Sequence, residues 1–203
     1  MEEYKYHSCS PSWSNNYIWP HLVSELARTV SPEANILDLG CGNGATSAYL
    51  ASLGYKVAGL DGSSTGIKHA KEAWPHLSFR VGSVYDDLRP FASRCGAIVS
   101  LEVIEHLIDP RAMLARAYEC LEPGGILLLS TPYHGYLKNL ALAVSGRLDS
   151  HFTVLWDGGH VKFFSERTIR QMLGELPFEI LRIIRIGRVP PLAKSMLVVA
   201  TKL

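Results

Sequence analysis

Apolar positions along this chain fall into two alternating patterns. Short β-rich runs at Asn35–Leu39, Lys56–Leu60, Leu77–Val81, Ala97–Ser100 and Ile126–Ser130 alternate with helical stretches, from about Gly44 to Leu53, up to Ala73, and from about Pro110 to Leu121. The alternation predicts a mainly parallel sheet covered by helices on both faces. The fifth run is apolar almost throughout, as expected of a strand buried on both sides, and Glu122-Pro-Gly-Gly before it reads as a turn. Two more β-rich runs, Phe178–Ile186 and Ser195–Thr201, are joined by Gly187-Arg-Val-Pro-Pro, which is too short for a helical crossover. They must form an antiparallel hairpin. The expected fold is therefore α/β and Rossmann-like, a seven-stranded, mostly parallel sheet with an antiparallel C-terminal hairpin.

Two segments lie outside this alternation. Thr131 to Phe164, 34 residues between the fifth strand and a helix capped by Ser165, is too long for an ordinary loop, and it predicts a substrate cap with a helix near Leu137–Val144. Ahead of the sheet, Ile18, Leu22, Leu26 and Val30 are spaced as one helix face, behind an N-terminal arm (1–17) that carries Tyr4, Tyr6, Trp13 and Tyr17. Residues 1–203 read as a single domain, because 47% hydrophobic and 19% charged residues can fill one core.

Charge and composition narrow the partners. A net charge of +1 with no basic run argues against nucleic acid, and no apolar stretch approaches the length of a membrane span. Met1-Glu-Glu-Tyr-Lys lacks the basic start and apolar stretch of a secretory signal, which makes the cytoplasm the expected location. Cys9, Cys41, Cys95 and Cys120 form no CxxC pair, so reduced thiols are expected, and neither zinc nor a disulfide framework.

Chemistry enters at Asp38-Leu-Gly-Cys-Gly-Asn-Gly44, where the first strand meets the first helix and an open parallel sheet binds its ligands. Gly40 and Gly42 permit a tight turn and a close backbone approach, and the helix start offers free N–H groups. Asp61 ends the second strand 21 residues after Gly40, where a carboxylate can accept from both hydroxyls of a ribose. Gly40, Gly42 and Ala45 also satisfy the looser dinucleotide pattern G-x-G-x-x-A, so the spacing leaves an NAD-type oxidoreductase open. Asp38 tips the balance, since a carboxylate beside the turn suits a ligand with an ammonium and a sulfonium better than one with a pyrophosphate.

With these residues in place, the sequence resembles the class I S-adenosylmethionine-dependent methyltransferases. The similarity is carried by Ile36-Leu-Asp-Leu-Gly-Cys-Gly-Asn-Gly44, Val57-Ala-Gly-Leu-Asp-Gly-Ser63, Val81-Gly-Ser-Val84, Val99-Ser-Leu-Glu-Val-Ile-Glu-His106, Leu121-Glu-Pro-Gly-Gly125 and the terminal hairpin. Glu102-Val-Ile-Glu-His-Leu-Ile-Asp-Pro110 and Gly159-His-Val-Lys-Phe-Phe-Ser165 look like the small-molecule branch that contains the ubiquinone-biosynthesis O-methyltransferases. The resemblance implies a cofactor, S-adenosyl-L-methionine, leaving as S-adenosyl-L-homocysteine. It implies that Gly40 and Gly42, with Asp38 and Cys41, line its methionine end and that Asp61, with Gly62, holds its ribose. Ser83 and Val84 would face the adenine, Ser83 standing where the family often has an aspartate, and Leu101 would offer backbone near the methionine moiety. Gly96 departs from relatives that begin the fourth strand with an aspartate.

The implied activity is methyl transfer to a small-molecule acceptor, to oxygen before nitrogen or carbon. A hydroxyl acceptor needs its proton removed, and a neutral imidazole suits that work. His106, after the fourth strand, is the first candidate base and His160 the second; the competing reading of each is a histidine that fixes a loop. Glu105 reads as part of a solvated face or as a helix N-terminal charge rather than as half of a carboxylate pair with Glu102, and Cys41 as a small filler of the turn. His134 and His151, with Tyr133, Tyr136, Phe152 and Trp156, suit a flat or apolar acceptor, or equally a small local core. No His, Asp and Glu set shows metal-ligand spacing, so no metal is assigned, although some O-methyltransferases use a divalent ion to acidify a phenol. A catalytically silent S-adenosylmethionine-binding accessory protein is the remaining alternative.

Overall fold

A computed structural model describes residues 5–92, 94–152, 155–156 and 158–203. Tyr4 of the expected arm and positions 153, 154 and 157 of the expected cap lie outside the described residues. The chain runs α1 (Asn15–Thr29), β1 (Asn35–Leu39), α2 (Ala45–Ser52), β2 (Lys56–Asp61), α3 (Ser64–Ala73), β3 (Ser78–Val81), β4 (Cys95–Leu101), α4 (Pro110–Cys120), β5 (Leu121–Pro132), α5 (Tyr136–Val144), α6 (Leu148–Phe152), α7 (Glu166–Leu173), β6 (Phe178–Ile186) and β7 (Ser195–Lys202). The seven strands are ordered β3-β2-β1-β4-β5-β7-β6. Strands β1 to β5 pair in parallel, while β7 inserts antiparallel between β5 and β6. The expected hairpin is present.

Alternation along the strands builds two core layers. Leu127 and Leu129 of β5 and Ile98 of β4 join Met113, Leu114, Ile169 and Met172 of α4 and α7 on one face. Ile126 and Leu128 of β5 and Ala97 and Val99 of β4 join Ile18, Leu22, Leu26 and Leu50 of α1 and α2 on the other. Residues Ile18, Leu22, Leu26 and Val30 are all buried, which bears out the face predicted for α1. At Ser165 a capping box starts α7, its hydroxyl accepting from Thr168 N.

Two details differ from the expected elements. Glu122-Pro-Gly-Gly does not precede β5 but lies within it, because Leu121 already pairs with Cys95 before the register jumps to Ala97 opposite Ile126. Gly96, where relatives carry an aspartate, has Ala34 so close that a Cβ would lie 2.7 Å from the alanine methyl, and an acid has no room there. No helix among the described residues is long and apolar enough to cross a membrane.

The order of the strands reverses between β1 and β4, which opens a crevice beyond their C-terminal ends. Both predicted clusters of site residues lie along it.

Candidate active site

At the end of β1 the chain turns through Gly40 and Gly42, with φ of 81° and 57°. A side chain at Gly40 would run into Val103 beyond β4. At Gly42 it would meet the Tyr6 ring and hydroxyl, so the N-terminal arm lies directly on the turn. Tyr6 N donates to Thr65 Oγ1 at 3.1 Å, and Asn43 Nδ2 donates to the carbonyls of Ser8 and Ser10, both at 2.8 Å. Sequence reasoning left the arm without contacts because its aromatic residues follow no period.

Asp61 braces the turn. One carboxylate oxygen accepts from Gly42 N at 2.8 Å and the other from Ser63 N at 2.7 Å. The Asp38 carboxyl lies beneath the turn and accepts from Ser47 Oγ at 2.6 Å; burial pushes it up to about 7. Cys41 packs with Ile67, Ala70 and Phe79, and burial raises its thiol far above the usual range. Packing and protonation both fit the filler reading.

On the far side of β2, Gly62 is exposed beside the Gly82 carbonyl, and Ser83 sits in a tight turn, its N–H donating to Asp86 Oδ2 at 2.8 Å. Asp86 thus brings to this turn the carboxylate that Ser83 lacks. The Val84 side chain, expected to face the adenine, packs instead into the core with Leu60 and Leu88, so Val84 can offer only backbone.

Beyond β4, the half-buried Leu101 is followed by Glu102, whose φ of 55° is a left-handed conformation that side chains rarely adopt. Ser130 Oγ and Ser195 Oγ donate to the Glu102 carboxylate at 2.8 and 3.1 Å, and burial raises it to about 7. A 3₁₀ turn over Ile104–His106 follows. Here the expectation of a solvated Glu105 is wrong. Its exposure is 1%, because residues 158–162 fold back over the turn and the N–H groups of Val161 and Lys162 bond its backbone carbonyl. One Glu105 oxygen accepts from Thr131 Oγ1 at 3.1 Å, while the other is buried without a partner. Burial, then the neighbouring Glu102 charge, raises this carboxyl well above the usual range.

His106 Nδ1 lies 3.0 Å from Gly158 O and 3.3 Å from Gly159 O. Only a protonated Nδ1 can bond a carbonyl, so the tautomer is fixed and Nε2 keeps its lone pair. Burial lowers the His106 pKa and keeps the ring neutral. His160 stands with its ring 4.8 Å from that of His106, and burial, reinforced by His106, lowers it to about 4. The structure therefore brings the two candidate bases together.

It also brings in an acid. Ligand atoms of Glu105, His106 and His160 all lie within 4.8 Å of one another. This corrects the expectation that no metal-ligand set exists; with His160 54 positions beyond His106, spacing could not reveal it. One carboxylate and two imidazoles suit a divalent transition ion, and the partnerless Glu105 oxygen is a donor with nothing to bind.

Under the expected cap, His134 is stacked on Phe152 at 5.8 Å, with Phe163 edge-on at 5.0 Å and His151 at 5.5 Å. Lys138 is buried, donates to Tyr133 O at 2.7 Å, and is lowered to about 8 by burial.

Known proteins align with this arrangement. A family model described as "Methyltransferase domain" matches residues 13–183. A ubiquinone biosynthesis O-methyltransferase of Azorhizobium caulinodans is 33% identical over 164 residues, covering 75% of this chain and 62% of the relative. This chain thus spans less than two thirds of that relative's length, and two others with the same description are covered to 56% and 52%. Among solved structures, the magnesium protoporphyrin IX methyltransferase of Synechocystis PCC 6803 with bound S-adenosylhomocysteine superposes with a TM-score of 0.70 at 20% identity, covering 91% of this chain and 81% of that one. A [4+2]-cyclase superposes as well, with a TM-score of 0.71 at 13% identity over 98% of this chain and 86% of that one, so the fold alone does not fix a reaction. Family model, sequence relatives and strand order agree: the chain belongs to the class I S-adenosylmethionine-dependent methyltransferases, in the methyltransferase-domain family, and is similar to the ubiquinone-biosynthesis members.

Proposed function

We propose that the protein transfers a methyl group from S-adenosylmethionine to a hydroxyl oxygen of a small, flat or apolar acceptor held beneath residues 131–164. The observation that carries this reading is the neutral His106, its Nδ1 tied to the Gly158 and Gly159 carbonyls and its Nε2 left as a base at the end of β4. The printed names of the relatives support oxygen as the acceptor atom.

Asp61, fixed by two backbone donors at the end of β2, is the carboxylate placed to accept from ribose hydroxyls, and Asp38 beneath the turn answers the ammonium of the methionine end. Binding a cation beside Asp38 favours its charged form and reverses the shift that burial imposes. Backbone around Ser83, Val84 and Leu101 borders the adenine and methionine ends. Bound there, S-adenosylmethionine supplies a methyl group on positively charged sulfur. The chain then has to hold the acceptor oxygen in line with that carbon and remove its proton. His106 Nε2 takes the proton, and His160 flanks it. Glu102 and Glu105 stand beside the His106 turn, and burial raises both carboxyls from the ordinary range, which weakens their repulsion of an oxyanion.

A second reading of the deprotonation rests on Glu105, His106 and His160 as a divalent-cation site. An ion held by these three would lower the acceptor's pKa in place of the imidazole base.

Methyl transfer from labelled S-adenosylmethionine to a panel of phenols, catechols, amines and carbon acids tests the reading, with and without a chelator. Hydroxyl-bearing aromatics are expected as acceptors. The Asp61→Asn variant should weaken cofactor affinity about 10- to 100-fold, since each charge-assisted bond contributes about 1.5–3 kcal/mol. Cofactor binding with no turnover on any acceptor would leave the accessory-protein reading instead.

A further inference from the structure

We propose that Cys95 and Cys120 form a reversible dithiol–disulfide pair, a redox-dependent staple between the start of β4 and the end of α4. The site is independent of the methyl-transfer chemistry, because it lies at the opposite ends of the parallel strands from the glycine turn. The two sulfurs are 3.5 Å apart in the reduced protein. Ladder register explains the approach: Cys95 pairs directly with Leu121, so Cys120 is one residue from the position opposite Cys95. Neighbouring strand backbones lie about 4.8 Å apart, which puts the two residues within the backbone separation a disulfide spans. Small rotations about the two Cα–Cβ bonds close the remaining gap.

The environment separates the roles of the two thiols. Lys202 Nζ donates to the carbonyls of Tyr118 and Leu121, both at 2.7 Å, which sets its ammonium astride Cys120. The bond from Cys95, helped by Lys202, lowers the Cys120 thiol against burial and Asp87, whereas that same bond and burial push the Cys95 thiol up. Cys120 is therefore the attacking sulfur. Both thiols face the Ala92 carbonyl, at 3.1 Å from Cys120 and 3.8 Å from Cys95. Both side chains are buried, so their oxidation is slow relative to the half-buried Cys9.

The chemistry balances with a small disulfide such as oxidised glutathione. The Cys120 thiolate attacks one of its sulfurs and expels a glutathione thiolate, giving a mixed disulfide. The Cys95 sulfur, on losing its proton to solvent, attacks Cys120 Sγ and expels the second glutathione. Two electrons pass from the cysteine pair to the oxidant. The new bond closes a loop of 26 residues, Cys95 through Cys120, that includes the Glu102–His106 segment.

The folded protein is incubated with excess oxidised glutathione, alkylated and digested with trypsin. Peptides 95–111 and 117–138 are expected to be joined, with the loss of two hydrogens, and to separate on reduction. The oxidised protein should melt about 5–10 °C higher, as expected for a loop of this length in a domain of this size, and Cys120→Ser should lose both the joined peptide and the rise. Separately alkylated Cys95 and Cys120, pairing of either with Cys9 or Cys41, or a melting temperature that does not rise would each overturn the proposal.

Discussion

The segment from β1 to α3 and the described part of residues 131–164, the proposed cover, are built in opposite ways. In the first, side chains and backbone fasten one another: Asp61 holds Gly42 and Ser63, Ser47 holds Asp38, and α2 and α3 bury Leu50, Ile67 and Ala70. In the second, α5 buries only Lys138, and Tyr136, Val144 and Leu155 are 80%, 81% and 98% exposed. A turn whose polar groups are already satisfied is preorganised for its ligand. A helix such as α5, with its apolar residues outward, draws little stability from its own packing, and under the proposed function the acceptor completes the fit on this side. The difference suits a protein in which the methyl donor is constant and the acceptor sets the specificity.

The most demanding test of that division is chemical. Replacing His106 with Ala should lower turnover about 10²- to 10⁴-fold at neutral pH while leaving cofactor affinity within a few-fold, because the proposed base belongs to the acceptor side. Raising the pH should restore part of the rate as a phenolic acceptor ionises by itself. Cofactor affinity falling in step with turnover would mean that the two sides are not separable.

Next in size is a stability contrast. Leu128, fully buried between β4 and β7, should cost about 2–5 kcal/mol on replacement by Ala, whereas Val144→Ala on α5 should change stability by no more than about 0.5 kcal/mol. Urea unfolding of the two variants measures both. An equally large loss at Val144 would show that the cap is part of the fixed fold.

The same contrast governs what could be read from the sequence. Strands β1, β4 and β5 were legible because parallel strands buried on both faces appear as nearly unbroken apolar runs. The glycine turn and Asp61 were legible because each sits at a strand-to-helix junction, after β1 and at the end of β2. Glu105 was not, since its burial comes from residues 158–162 returning over a 3₁₀ turn, and nothing near Glu105 in the sequence announces that return. Tyr6 on the turn and His160 beside His106 are likewise products of tertiary proximity, brought together by segments without helical or strand periodicity. The pattern located the scaffold, and the groups that could handle the acceptor's proton became visible only after folding.

The smallest effect expected is in the pH dependence of stability, where the floor and the cover of the crevice act in opposite senses. Burial raises Asp38 and Glu102 to about 7, from ordinary values of 3.8 and 4.5. Between those limits the folded chain holds protons that the unfolded chain has released, so these groups make stability fall as pH rises. His134 and His160 are lowered by burial from 6.5 to about 4, so in that interval the unfolded chain binds the extra protons and stability rises with pH. The two contributions oppose each other between pH 4.5 and pH 6.5, and the ligand-free protein should show a shallow profile there. Glu102→Gln removes one falling contribution and should tilt the profile upward, while His160→Gln removes one rising contribution and should tilt it downward, each by about 1–3 kcal/mol across the window. Urea melts at successive pH values read both slopes. Parallel profiles for the wild type and both variants would show that neither group titrates differently on folding, and the electrostatic distinction between floor and cover would be lost.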